Sequence, residues 1–223
     1  PQSDYTVEEG YKKESDFEQA ISAVYGKQQL LYNTNSCWFM YINHRSDDSR
    51  NANNVGRFVD SPNESIWTTS WKTYWSIIDR CNLILDKIDN AEFTNEERRD
   101  YIKGEAYMLR AYAYWSLGWQ WGGVPLITKT TPLAEIRKIP RSTQEVTLGQ
   151  AISDYKEAIR LLPEEWGTND IGRATRYAAA GMLGRLYMFQ NNFEDARTYL
   201  KMVVDQESVR YEMEKKYEDC FID

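Results

Sequence analysis

Histidine is nearly absent from this chain: His44 is the only one in 223 residues. Imidazole-dependent chemistry therefore has one position available, and no arrangement of Ser46, Asp47 and Asp48 near it specifies a triad, which is defined by spatial roles. Cysteine is also scarce. Cys37, Cys81 and Cys220 are far apart, and no pair has metal-ligand or redox spacing. They fit either one disulfide plus a free thiol or three isolated buried thiols, so they do not report the compartment. Cationic excess is missing as well: the net charge is −7, which disfavours nucleic acid, a partner that demands clustered cations. No apolar run approaches the ~18 residues a membrane-spanning helix needs. The first residues, Pro1 to Gly10, are polar and lack a signal-peptide pattern.

What is present is a folded, aromatic-rich chain. Hydrophobic residues make up 42% and charged residues 27%, outside the disordered range. The 8 Trp and 16 Tyr suit either sugar stacking or helix interfaces, and composition alone does not decide between them.

Helix signals dominate. Ser15 and Glu18 read as a capping box ahead of Phe17, Ile21, Val24, Gln28 and Leu31, predicting a helix over about 15–32. Residues 33–61 break the pattern as a long polar loop, and loops of this length tend to be functional. Ser61, Pro62 and Glu64 restart a helix to about Ile88, with Trp67, Trp71, Tyr74, Ile78, Cys81 and Leu85 as its apolar stripe. Thr94 and Glu97 cap the next, lined by Ile102, Ala106, Leu109, Ala113 and Leu117 and ended by Gly122-Gly123 before extended Val124–Ile127. Ser142 and Glu145 open a helix over 143–162, stopped by Pro163. Two more follow at 173–190 and 193–206, with Asn192 capping the second.

Paired helices of this length fit a repeat of about 34 residues. Gly184 and Ala196 are small where two antiparallel helices must approach, and Tyr187 and Leu200 fill the space beside them. Ala151, Tyr155, Ala158 and Pro163 carry matching spacing. The expected class is all-α, a tetratricopeptide-like superhelix with long loop insertions.

The wording of several blocks goes further. Glu14–Phe17 with Ala20, Val24 and Tyr25, then Trp71, Tyr74, Ile77, Cys81-Asn82 and Ile88-Asp89, stand in order before Glu105-Ala106, Leu109-Arg110-Ala111 and Tyr114. Gly123-Val124-Pro125-Leu126-Ile127 follows, then Pro140-Arg141-Ser142, Gly172–Thr175 and Tyr217–Asp219 with Phe221. This series resembles the SusD/RagB family of outer-membrane lipoproteins over residues 10–223. Family members are usually longer, so the likeness is to an N-terminal portion: one helical domain over 1–223. The resemblance implies a protein held on the outer cell surface of Bacteroidetes-type cells by a lipidated cysteine, which is not among the positions of this chain. It implies a TonB-dependent, SusC-like transporter as partner, the helices facing it, and capture of oligosaccharide, or in some members peptide, without chemical change. No cofactor, metal or catalytic residue is implied. A helical-repeat adaptor binding only protein is the reading from another class.

The loop 43–66 is the expected ligand surface. Asp48, Arg50, Asn51, Asn53, Asn54 and Arg57 offer the donors and acceptors sugar hydroxyls need. Trp38, Tyr41 and Trp67 flank it as stacking faces, Trp67 foremost. Asp47, Asp48 and Asn51 resemble part of a calcium loop without its glycine and terminal glutamate. Trp71, Trp115, Trp119 and Trp121 are expected in the helical core, and Arg98-Arg99 in solvent.

Overall fold

The computed structural model describes residues 10–32, 45–46, 57–59, 61–207, 209–211 and 216. Within them the chain is helical: α1 is Glu14–Gln29, α2 Ser65–Lys87, α3 Glu96–Trp121, α4 Gln144–Leu161, α5 Arg176–Phe189 and α6 Phe193–Val204. A short 3-10 turn, Leu30–Tyr32, extends α1, and a single helical turn, Leu133–Ile136, lies between α3 and α4. No helix among the described residues is long and apolar enough to cross a membrane.

The helices form where the periodicity places them, but several caps shift by a residue or two. Asn95, not Thr94, caps α3: its side-chain oxygen accepts from the N–H groups of Glu97 and Arg98. Thr94 sits one residue too early and instead donates its N–H and hydroxyl to Glu14. Thr143, not Ser142, caps α4 by accepting from Val146. At α1 the predicted Ser15–Glu18 box is absent. Asp16 accepts from the backbone of Lys12 and Lys13, which leaves Glu18 for an ion network described below. Ser61 belongs to a turn before α2, which starts at Ser65. Thr175 and Asn192 cap α5 and α6, satisfying amides that a helix start leaves open.

α3 is the axis of the molecule. From Leu109 to Gly118 every residue is buried, so this helix is enclosed on all sides. α1 and α2 pack on one side and α4 along the other, with α5 against α4 and α6 against α5. The buried residues of α2 are Ile66, Ser70, Tyr74, Ile77, Ile78, Cys81, Asn82 and Ile84, continued by Ile88 in the turn after it. Trp67, Trp71 and Leu85, expected on the apolar stripe, stand at its margin and are half-buried. Burial pushes the Cys81 thiol far above its usual pKa, so it is an inert core residue; Cys37 and Cys220 lie outside the described residues.

The α5–α6 pair realises the repeat. A Cβ on Gly184 would come within 2.6 Å of Leu200 Cγ, Ala196 is buried, and Tyr187 stacks on Tyr199 with ring centroids 5.8 Å apart. A tighter approach occurs at the neck between α3 and α4. Gly122, with φ 77°, ends α3. A Cβ on Gly123 would fall 1.8 Å from the Ser142 carbonyl oxygen. Ser142 donates its N–H to Val124 O at 3.2 Å, Val124 N–H donates to Thr147 Oγ1 at 3.1 Å, and Arg141 caps the carbonyls of Trp121 and Gly123.

The glycines therefore separate by environment. Gly149, within α4, has nothing within 4 Å of an added Cβ, so Gly149→Ala should raise stability by about 1 kcal/mol. Gly184→Ala should lower it by about 1–3 kcal/mol through overpacking. Urea unfolding of both variants checks the opposite signs.

Candidate functional site

One buried ion pair positions the candidate site. Arg110, in the Leu109-Arg110-Ala111 block of α3, donates Nε and Nη2 to the two carboxylate oxygens of Asp154 on α4, both at 2.8 Å. Its side chain is 5% exposed and that of Asp154 2%. Gln150 donates to the same carboxylate. Arg110 Nη1 reaches across to Asn82 Oδ1 on α2 at 2.7 Å and to Thr128 O at 2.9 Å. Asn82 Nδ2 donates in turn to Ile127 O at 2.7 Å and Lys129 O at 3.3 Å. Tyr114 hydroxyl bonds both the N–H and the carbonyl of Ile127 at 2.8 Å. Burial pushes that phenol up to about 12, so it keeps its proton. The extended segment leaving α3 has no neighbouring strand among the described residues, and these side chains satisfy its backbone instead.

So held, Pro125 and Ile127 face α2 and close one wall of a groove of about 380 Å³; Trp71, Trp75, Ile78 and Asp79 form the other wall, with Ile136 also lining it. Trp71 lies 5.6 Å from Trp75 and 5.5 Å from Trp121, both nearly edge-on. Trp67 meets Trp121 at 6.4 Å and 87°, so Trp67, Trp121, Trp71 and Trp75 form a continuous half-buried ladder. Such edge-to-face contacts fix ring orientation. Arg45 lies over Trp67 at 5.8 Å and over Phe58 at 4.8 Å, so one Trp67 face already meets a guanidinium.

Of the residues expected to bind, Trp67 joins the ladder and Arg57 is exposed in a turn before Phe58. Trp38, Tyr41, Asp48, Arg50, Asn51, Asn53 and Asn54 lie outside the described residues, as do His44 and Asp47. Trp71 packs on the margin of the core and also lines the groove. Trp119 departs from the core, at 50% exposed, because it lies on the last turn of α3, beyond the enclosed stretch. Trp115 is buried and Trp121 packs on the core. Trp75, Ile127 and Ile136 were not among the sequence candidates; the signal for Trp75 was its i,i+4 spacing from Trp71.

A second ion network lies on the opposite side of α3. Arg173 pairs with both oxygens of buried Glu105, with Glu18 at 2.9 Å and with Asp170 at 3.0 Å. Arg98, expected in solvent, also bonds Glu18 and Asp170. Burial raises the Glu18 pKa, but the bonds from Arg98 and Arg173 outweigh it and hold the carboxyl below its usual value. Both guanidiniums lie over Trp166, at 5.1 and 4.8 Å. The buried carboxylates Glu105 and Asp154 are each committed to an arginine.

The chain matches the family model described as starch-binding and associating with the outer membrane over residues 5–188. It is 28% identical over 210 residues to SusD-like protein P25 of Formosa agariphila, covering 88% of this chain and 40% of that relative. It is 24% identical to a SusD-like protein of Bacteroides ovatus, covering 89% and 36%. Among solved structures, a SusD superfamily protein of Bacteroides vulgatus superposes with a TM-score of 0.80 at 24% identity, covering 96% of this chain and 47% of that one. A laminarin-binding SusD-like protein gives 0.80 at 22%, covering 94% and 48%. The chain thus spans about two fifths of the length of the curated relatives it matches.

Arg110→Met should destabilise the fold by about 3–5 kcal/mol, because it leaves Asp154 buried and unpaired. Asn82→Ala should cost less, about 1–3 kcal/mol, and should speed amide exchange at Ile127 while leaving the middle of α5 protected. Urea unfolding and hydrogen exchange read the two effects.

Proposed function

Because the chain belongs to the SusD-like family of starch-binding, outer-membrane-associated proteins, we propose that it captures oligosaccharide at the outward-facing cell surface and passes it on without chemical change. The observation that carries this reading is the Trp67–Trp121–Trp71–Trp75 ladder, of which Trp71 and Trp75 line the groove. A pyranose has an apolar face for an indole ring and a rim of hydroxyls for polar side chains. In this proposal Trp67, Trp71 and Trp75 stack, and the loop contributes Trp38, Tyr41, Asp48, Arg50, Asn51, Asn53, Asn54 and Arg57. The laminarin-binding relative of the same helical fold supports a glycan as ligand.

Delivery belongs to the same proposal: the recipient is a TonB-dependent, SusC-like transporter, and the protein is held at the membrane by a lipid anchor. Pull-down of the transporter with the lipidated, full-length protein tests that step.

The ligand is tested by titrating the chain with maltoheptaose and laminarihexaose while following Trp emission. Trp67→Ala and Trp75→Ala should each weaken binding about tenfold with an unchanged helical circular-dichroism spectrum, and Asn53→Ala about fivefold. Binding of an extended peptide with no response to either glycan would replace oligosaccharide by peptide as the cargo.

A further inference from the structure

A second aromatic cleft, of about 500 Å³, opens where the last turns of α3, the first turns of α4 and the end of α5 meet. It shares no lining residue with the groove beside Trp71. Trp119 and Phe189 form its wall. They are 50% and 45% exposed, with ring centroids 4.5 Å apart and planes inclined at 50°. Phe189 leans in turn on buried Trp115, 6.2 Å away. The two rings thus touch each other at a tilt, and each keeps an exposed face over a rigid base.

The rim of the cleft is polar and carries few committed groups. Gln144 donates to Gly118 O at 2.8 Å, which holds its amide in one orientation. The side chains of Glu145 and Gln190 line the cleft and make no hydrogen bond among the described residues. The guanidinium of Arg185 lies over Trp115 at 5.3 Å and over Phe189 at 5.7 Å, so its charge is engaged by ring faces. An anionic ligand would meet the carboxylate of Glu145. A purely apolar one would leave the amide of Gln190 without a partner as it displaced its water. The complementary ligand is neutral, flat and apolar on one face, with hydroxyls at its edge. The cleft volume lies within the ~300–1,000 Å³ range of small-molecule sites.

We infer that this cleft is a second carbohydrate subsite, in which a pyranose unit of a neutral glycan packs on the exposed faces of Trp119 and Phe189 and bonds through its hydroxyls to Gln190, Gln144 and Glu145. The inference rests on these rings and amides, independently of the groove beside Trp71, so either site can fail alone. Two linked contacts on one glycan would raise its overall affinity through effective concentration.

The test follows the indole ¹⁵N–¹H resonances of the chain, assigned by single Trp→Phe variants, during titration with laminarihexaose and maltoheptaose. The Trp119 resonance is expected to shift saturably with at least one glycan, both in the unaltered chain and in Trp75→Ala. Gln190→Ala, at an exposed position after α5, should weaken that shift about fivefold. A Trp119 resonance that stays fixed, or moves without saturating, while those of Trp71 and Trp75 saturate overturns the second subsite and spares the groove. Saturation at Trp119 alone supports the second subsite and overturns the groove. Silence at all of these resonances overturns both.

Discussion

The pair Arg110–Asp154 is the constraint on which the arrangement of the site depends. Two charges so deeply buried are stable together only when nearly every donor and acceptor is satisfied. Satisfying the guanidinium recruits three separate pieces of chain: the carboxylate of α4, the amide of Asn82 on α2, and the Thr128 carbonyl. Hydrophobic packing would hold α2, α3 and α4 together without such a pair. What the pair adds is direction. A planar donor fork accepts partners in few orientations, so, with the neck fixing where the extended segment leaves α3, it sets on which side of α2 that segment runs. The groove is a consequence of that placement.

On the other side of α3 the logic is similar and the parts differ. Arg173 and Arg98 gather Glu18 of α1, Glu105 of α3 and Asp170 of the preceding loop, and Tyr25 donates to Glu105 while accepting from Ala174 N–H. α1 is thereby tied to a loop some 150 positions away along the chain. The central helix thus carries one buried charge of each sign, Arg110 and Glu105, and each is neutralised from outside. Contacts of such long sequence separation require the helices to dock before the polar groups can be matched, whereas the α5–α6 hairpin needs only its neighbours.

The helices and their order were legible because apolar spacing and breakers are local properties. Buried Phe17, Ile21, Val24 and Leu31 reproduce the stripe read for α1, and Gly184 with Ala196 reproduces the close approach read for the last pair. Caps were less legible, since adjacent Thr94 and Asn95, or Ser142 and Thr143, are chemically similar and only the tertiary partner decides which one caps. The candidate site was legible in part. Trp67 stood out by its place after the loop, but Trp75 stood off the predicted stripe, and Pro125 and Ile127 acquire their role only through Arg110 and Asn82. Arg98 looked like a solvated surface charge because its partners, Glu18 and Asp170, are distant in sequence.

The neck at Gly123 and Ser142 has a meaning for variation among relatives. There the two ends of the excursion 125–141 touch backbone to backbone, so α3 and α4 keep their spacing whatever lies between them. Lengthening a loop whose ends are already fixed is inexpensive, about 0.6 kcal/mol for each doubling. The excursion also supplies Pro125, Ile127 and Ile136 to one wall of the groove. Its outer part, beyond the residues anchored by Asn82, is free of that constraint. Insertions and substitutions there would reshape one wall of the groove while the helical frame around it stays in register.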